Sequence, residues 1–430
     1  MVEYLKIVYV RGRQVLDSRG TPTVEATVTV RNCIDGELTE GRAIVPAGSG
    51  SGAHEAAEIR DGGDAFMGMG VKTAAQNIEK YLQEPLAGTE VTDQRRIDHI
   101  LLEADGTEDK SRLGANALLA VSLASADAAA KALHVPLYRY LGGVQGQKMP
   151  VPMMSIVNGG AHANNSLDVQ EFMIVPVGAD SIAQGVEWCC EIYHVLKKIL
   201  SDRGLSTGLG DEGGFSPNLS TEMEAIDFIM DAIQAAGFVP GKDVCISLDV
   251  AAGRWKGRGD RDYCMPKQKR CYSARELMQE WEDLVSKYPI FSLEDPLGED
   301  DWEGWQELTV RLSQKTLLVG DALFATSPGR LWQGIEKGAA NAVLIQPNQI
   351  GTLTETMETV RLAKEHGYRT IMSHRSGESE DSFIADLAVA LNTGLIKAGA
   401  PGRGERTAKY NQLLRIEEEL YGESAAVEEP

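Results

Sequence analysis

The sequence predicts an α/β protein in two domains, a small N-terminal α+β domain over residues 1–143 and a C-terminal (β/α) barrel over residues 144–430. Three observations carry that expectation. A chain of 430 residues exceeds what one ordinary core holds. Its N-terminal third passes from strand-like alternation to alanine-rich helical spacing. Its second half repeats a short apolar run that ends in a polar residue and is followed by an amphipathic stretch.

Over residues 4–31 polar and apolar residues alternate, as in Glu25-Ala26-Thr27-Val28-Thr29-Val30, and the turn-like Ser18-Arg19-Gly20-Thr21-Pro22 separates two runs. Two antiparallel strands fit that pattern. From 70 to 140 the apolar residues take helical spacing, and Gly, Gln, Lys and Pro cluster over 146–150 as a boundary. Further on, short apolar runs end at Asp249, Glu294, Asp321, Gln346, His374 and Lys397, at intervals of 45, 27, 25, 28 and 23 residues. Each interval fits one strand-helix unit except the first, whose excess is a polar, basic insertion over 254–270 expected to be a surface hairpin. In a barrel of such units the strand C-termini gather at one face, where active sites are built.

The formal charge of -21 opposes phosphate polymers, so no nucleic-acid partner is expected. No apolar run is long enough to cross a bilayer, so no membrane partner is expected either. The start Met1-Val2-Glu3-Tyr4-Leu5-Lys6 lacks a basic segment followed by an apolar one, which favours a cytoplasmic protein over a secreted one. Cysteines 33, 189, 190, 245, 264 and 271 show no metal-type spacing and read as free thiols without a function.

Asp249, Glu294 and Asp321 end consecutive strands, and converging like charges are costly unless a hard cation neutralises them. One such carboxylate alone could be a helix cap or a barrel salt bridge; three in register point to Mg2+. Lys397 and His374-Arg375-Ser376 close neighbouring strands, and together they suit a substrate with both a carboxylate and a phosphate. Taken singly, Arg375 could be a rim salt bridge and His374 a satisfied core residue. Two glycine-containing loops, Gly210-Asp211-Glu212-Gly213-Gly214-Phe215 and Asn158-Gly159-Gly160-Ala161-His162 leading to Gln170-Glu171-Phe172, permit close backbone approach.

The segments Leu16-Asp17-Ser18-Arg19-Gly20, Gly114-Ala115-Asn116-Ala117, Gln170-Glu171-Phe172-Met173-Ile174, Gly210-Asp211-Glu212-Gly213-Gly214-Phe215, Glu294-Asp295-Pro296-Leu297, Asn348-Gln349-Ile350-Gly351-Thr352 and Ser373-His374-Arg375-Ser376-Gly377-Glu378 occur in order along the chain, and Ala408-Lys409-Tyr410-Asn411-Gln412 follows them. Together they resemble the signature set of the enolase family. The resemblance implies an N-terminal α+β cap on an eightfold barrel with an irregular start, a homodimer or higher homo-oligomer, and Mg2+ on Asp249, Glu294 and Asp321. It also implies a small phosphorylated carboxylate substrate of the 2-phosphoglycerate or phosphoenolpyruvate type. Lys397 would then face the substrate carboxylate, Arg375 and Ser376 its phosphate, and Glu171 and Glu212 the leaving hydroxyl. His162 would lie on a closing loop beside Gln170, and His374 at the catalytic end.

Against that pattern, the strand before Asn348-Gln349 ends in Gln346, where the family carries the lysine that removes the proton from carbon 2. A glutamine amide cannot accept a proton near neutral pH. In the loop Pro46-Ala47-Gly48-Ser49-Gly50-Ser51-Gly52, the family's serine for a second Mg2+ is replaced by Gly50, leaving Ser49 or Ser51 to compensate. Ser155, Gly253-Arg254-Trp255 and Ala322 depart from the family as well. The retained residues bind an enolpyruvate-like ligand and the altered ones face carbon 2 and the phosphorus. The reading that follows is chemistry at the phosphoryl end, as in the family's carboxyphosphonoenolpyruvate synthases of phosphonate antibiotic biosynthesis. The alternatives are an ordinary phosphopyruvate hydratase that uses another base, and a non-catalytic binding protein of the same descent.

Overall fold

The computed structural model describes residues 4–50, 52–255, 257, 259 and 262–425. Ser51, named above for the second metal, lies outside the described residues. Strand β1 (Leu5–Leu16) pairs antiparallel with β2 (Pro22–Asn32) in the register Leu5↔Asn32 to Leu16↔Pro22. The connection is tight because the Asp17 carboxylate accepts the backbone N–H of Arg19 at 2.8 Å and of Thr21 at 3.0 Å. A third strand, β3 (Leu38–Ile44), which alternation alone did not reveal, pairs antiparallel with β2. The helix Ala115–Ala132 packs against this sheet. Its alanines bring the backbones so close that a methyl group on Gly41 would collide with Ala124 O and Ala128 N.

The second sheet is a closed barrel of eight strands. It begins with β4 (Val151–Asn158) and β5 (Glu171–Val175), neither of which the strand-helix rhythm revealed, and continues with β6 (Cys245–Asp249). A two-stranded hairpin, β7 (Asp262–Cys264) with β8 (Cys271–Ser273), interrupts it before β9 (Ile290–Glu294). Then come β10 (Leu317–Gly320), β11 (Ala342–Ile345), β12 (Arg369–Ser373) and β13 (Gly394–Lys397). Strand β5 runs antiparallel to both β4 and β6, and the remaining pairs are parallel. Met153, Met173, Val319, Leu344, Ile371 and Leu395 fill the interior, so the barrel is a packed core with its opening at one rim.

Two expectations are corrected here. Cys264 and Cys271 are not free thiols: β7 and β8 place them opposite each other in register, and they form a disulfide. The insertion over 254–270 is a hairpin but not a free surface one. Trp255, Tyr263 and Met265 are buried, and its tip hydrogen-bonds to the loop over 160–168. No single helix among the described residues is long and apolar enough to cross a membrane.

A buried carboxyl ties two outer helices together: Asp386, in Phe383–Ala390, accepts from Gln412 Nε2 at 3.0 Å, in Gly404–Ala425. Burial pushes its pKa up to about 7. Between the ordinary carboxylate range and about pH 7 the folded chain keeps a proton that the unfolded chain has lost, so stability at this side chain falls as pH rises. Integrated across that window the loss is roughly 4 kcal/mol. Urea unfolding of Asp386→Asn should therefore show a gain over wild type that grows between pH 5 and pH 8. A gap that stays constant across that range contradicts the assignment.

Candidate active site

The barrel register sets three acids abreast: Asp249 at the end of β6 pairs with Glu171 on β5 and with Glu294 on β9. Asp321 follows the end of β10, and Lys397 closes β13. Glu171, Asp249, Asp321 and Lys397 line a cavity of about 510 Å3 at the C-terminal rim, roofed by the glycine-rich loop around Gly48, Ser49 and Gly50, and Glu294 is held against Lys397. The Lys397 ammonium donates to Glu294 Oε1 at 2.9 Å and Oε2 at 3.0 Å, to Glu171 Oε1 at 3.1 Å and to Asp249 Oδ2 at 3.3 Å. Burial alone would lower its pKa, but Glu171, Glu294 and Asp249 outweigh burial and hold it well above the usual lysine range. Burial and the Asp249 charge in turn push Glu294 well up, and burial raises Asp321.

Glu171 and Glu212 are separated by their surroundings. Burial and the neighbouring Glu212 charge push Glu171 well up. Burial would raise Glu212 too, but His162 and His374 pull it well below the carboxylate range. Two carboxyl groups on the same cavity thus have their pKa values driven apart, a division that suits acid-base work. His162 Nδ1 lies 3.4 Å from Glu212 Oε1, and His374 Nε2 lies 3.6 Å from the same oxygen. Glu171 Oε2, Glu212 Oε2, His162 Nδ1 and His374 Nε2 are buried without a hydrogen-bond partner, which leaves them available to a ligand. Gln170 Nε2 donates to Asp249 Oδ2 at 3.0 Å, and Gln170 Oε1 is likewise unpartnered.

On the opposite wall Gln346 follows β11 with its side chain fully engaged. Its Nε2 donates to His374 O at 3.0 Å and to Ser373 Oγ at 3.3 Å, and its Oε1 accepts from Arg375 Nη1 at 2.8 Å. The other Arg375 nitrogen donates to both oxygens of Glu55, at 3.1 and 3.2 Å. Gly48 is required beside it, because any side chain there would run into Arg375 Nη2. Ser376 Oγ approaches Ser49 Oγ at 3.3 Å and accepts from Arg19 Nη1 at 3.2 Å, so the loop of the N-terminal domain meets the β12 end directly.

Several contributors escaped the sequence. Glu55 is the partner of Arg375, and Gln349 holds Asp321 Oδ1 at 2.8 Å. Asp295, at a left-handed φ of 42°, accepts the backbone N–H groups of Asp321 at 3.0 Å and Ala322 at 2.8 Å, so its strain fixes the loop bearing Asp321. Arg406 lies beneath His374, donating to its Nδ1 at 2.6 Å and to Arg375 O at 2.7 Å. Gln349 and Asp295 stood inside quoted motifs, and Glu55 and Arg406 had only their charge to mark them.

The cavity is rich in carboxyl oxygens: Glu55, Glu171, Glu212, Asp249, Asp295, Glu299 and Asp321 line it beside Lys397, Arg375 and Arg254. A hard divalent cation fits such a donor set. Among the described residues, the ligand atoms that lie within 4.8 Å of one another belong to His162, Glu171 and Glu212. Asp249, Glu294 and Asp321 stand at the same rim, with Lys397 paired to the first two.

Comparison with known families gives two matches. Residues 7–141 match a family model described as the enolase N-terminal domain, and residues 146–428 match one described as the enolase C-terminal TIM barrel domain.

The His374 geometry fixes its protonation. Burial drives its pKa well below the usual imidazole range, and the guanidinium at Nδ1 can only donate, so the ring is neutral with its proton on Nε2, aimed at Glu212. Nitrogen-15 spectra of labelled protein should show this tautomer unchanged from pH 5 to pH 8. A His374 ring that titrates in that range, or carries its proton on Nδ1, contradicts the geometry.

Proposed function

Because the chain belongs to the enolase family, we propose that it is a Mg2+-dependent enzyme that binds a phosphoenolpyruvate-type acid and acts at its phosphoryl end, without deprotonating carbon 2. The observation that carries this reading is Gln346. It occupies the position of the family's base, it cannot accept a proton, and both ends of its amide are already spent on His374 O and Arg375. A carboxyphosphonoenolpyruvate synthase-like reaction, forming an enolpyruvate ester of a phosphonate, is the specific chemistry we assign.

In this reading Lys397 pairs with the substrate carboxylate. Arg375 and Ser376 grip the phosphorus oxyanion, with Glu55 and Gln346 fixing the plane of the guanidinium. Glu171, its pKa pushed up by burial and Glu212, donates to a departing oxygen, and Glu212, its pKa pulled down beside His162, accepts a proton. Asp249, Glu294 and Asp321 would hold the Mg2+, which neutralises charge on the substrate carboxylate when bound. A second reading, ordinary phosphopyruvate hydratase, is favoured by one feature: Glu212 is an ionised carboxylate in the same cavity and could serve as another base.

Two measurements test these assignments. Asp321→Asn removes one anionic ligand and should weaken Mg2+ binding at least about tenfold by calorimetry. Unaltered affinity would remove Asp321 from the metal site. Exchange of the carbon-2 hydrogen of 2-phosphoglycerate with deuterated solvent isolates proton removal from later steps, and should run about 10²- to 10⁴-fold below that of an enolase carrying the lysine. Gln346→Lys should recover part of it. Adding Gly50→Ser, at a position with open space around it, should recover more than either change alone. Fast exchange by the unaltered protein would install the hydratase reading instead.

A further inference from the structure

The β7–β8 hairpin reaches the loop that carries His162. Lys267, at its tip, donates from Nζ to Gly160 O at 2.8 Å and to Ala163 O at 2.9 Å. These two carbonyls bracket His162, and neither has another hydrogen-bond donor among the described residues. The backbone N–H groups of Lys267 and Gln268 donate to the two oxygens of Asp168, at 2.8 Å each. Gln268 Nε2 reaches Glu222 Oε2 at 2.5 Å, and Glu222 Oε1 accepts from Asp168 N at 2.9 Å. The hairpin tip therefore grips the loop on both sides of His162.

What holds the tip together is short. Strands β7 and β8 have three residues each, too few to hold a hairpin in water unaided. The Cys264–Cys271 disulfide closes the segment between them, and Tyr263 and Met265 anchor its base in the core. Cys271 is exposed and Cys264 half-buried, so a solvent thiol can reach the bond.

We propose that Lys267 is a positioning residue for His162 and that the Cys264–Cys271 disulfide is the latch that keeps it in place, so that thiol-disulfide exchange loosens the His162 loop. The thiolate of a dithiol reductant attacks the exposed Cys271 sulfur, the sulfur-sulfur bond breaks, and Cys264 leaves as a thiolate that takes a proton. The second thiol of the reductant, releasing its own proton, then displaces Cys271, which is protonated in turn. Two electrons pass to the protein and the reductant becomes a disulfide. The latch does not depend on which reaction the cavity performs.

Hydrogen-deuterium exchange over residues 159–168, alongside phosphoenolpyruvate binding in the presence of Mg2+, tests this on the full chain. Reduction with dithiothreitol, and the double variant Cys264→Ser with Cys271→Ser, should each raise exchange in that segment at least about tenfold, with the barrel strands unchanged. Reoxidation of the wild type should reverse the rise. Lys267→Met should match the reduced protein, and Lys267→Arg, which keeps a donor at the tip, should restore most of the protection. Phosphoenolpyruvate affinity should fall when the latch opens, because His162, which lines the cavity, is then no longer held in it. Equal exchange in oxidised, reduced and Lys267→Met protein overturns the proposal, as does recovery of Cys264 and Cys271 as free thiols from non-reducing digestion. A wild type that binds no phosphoenolpyruvate but still shows redox-dependent exchange would overturn the proposed function and leave the latch standing.

Discussion

Buried negative charge at the rim of the barrel governs how everything around it is arranged. Register on adjacent strands forces Glu171, Asp249 and Glu294 side by side, and one ammonium, on Lys397, answers all three. Carboxylates so close in a dry site cannot all ionise at their usual pH, and the raised pKa values of Glu171, Glu294 and Asp321 express that cost. A folded protein keeps such an arrangement when a bound cation or an anionic substrate with its counter-ion completes it. Removing one partner from a buried ion pair typically costs about 3–5 kcal/mol. Lys397 therefore has a structural role, whatever it does for a ligand.

The opposite wall solves the mirror problem of a buried guanidinium. Arg375 is fixed by Glu55 from the N-terminal domain and by Gln346 from the barrel, while Gly48 yields the space it needs. Arg19 adds a second bridge through Gly48 O and Ser376 Oγ. Beneath them Arg406 ties His374, Arg375 and Ser376 to Asp211 through one buried side chain. The cavity is thus assembled from both domains, and Gly48, Ser49 and Glu55 complete the end lined by Arg375 and Ser376.

How much of this the sequence disclosed follows from where the signal lay. Six barrel strands were legible because each apolar run meets a polar residue at the rim, and the rim residues were legible for the same reason. Strand β4 was obscured by Pro152 and by continuous burial, which leaves no alternation to read, and β5 was recognised as a motif without being read as a strand. Strand β3, Leu-Thr-Glu-Gly-Arg-Ala-Ile, hides its pattern behind a glycine that close helix packing demands. The disulfide was missed because cysteine spacing was weighed for metals, although the hairpin expected over 254–270 is flanked on one side by Cys271 and contains Cys264. Glu55 and Arg406 could not be seen: 320 residues separate Glu55 from Arg375, and 32 separate Arg406 from His374. Only the fold makes them neighbours.

Gln346 deserves a double reading on these grounds. As a replacement for lysine it removes a proton acceptor, but its carbonyl oxygen also accepts from Arg375, a contact no ammonium can make. Lysine there would set a second donor against the guanidinium. The glutamine therefore removes a base from this wall and gives Arg375 a second acceptor beside Glu55. Gly50 leaves open space at the roof of the same cavity, next in sequence to Ser49 and its contact with Ser376. A wall that has lost a base but keeps its arginine held on two sides is what the proposed reaction at the phosphoryl end requires, and on that ground we read the change as redirected chemistry more than decay.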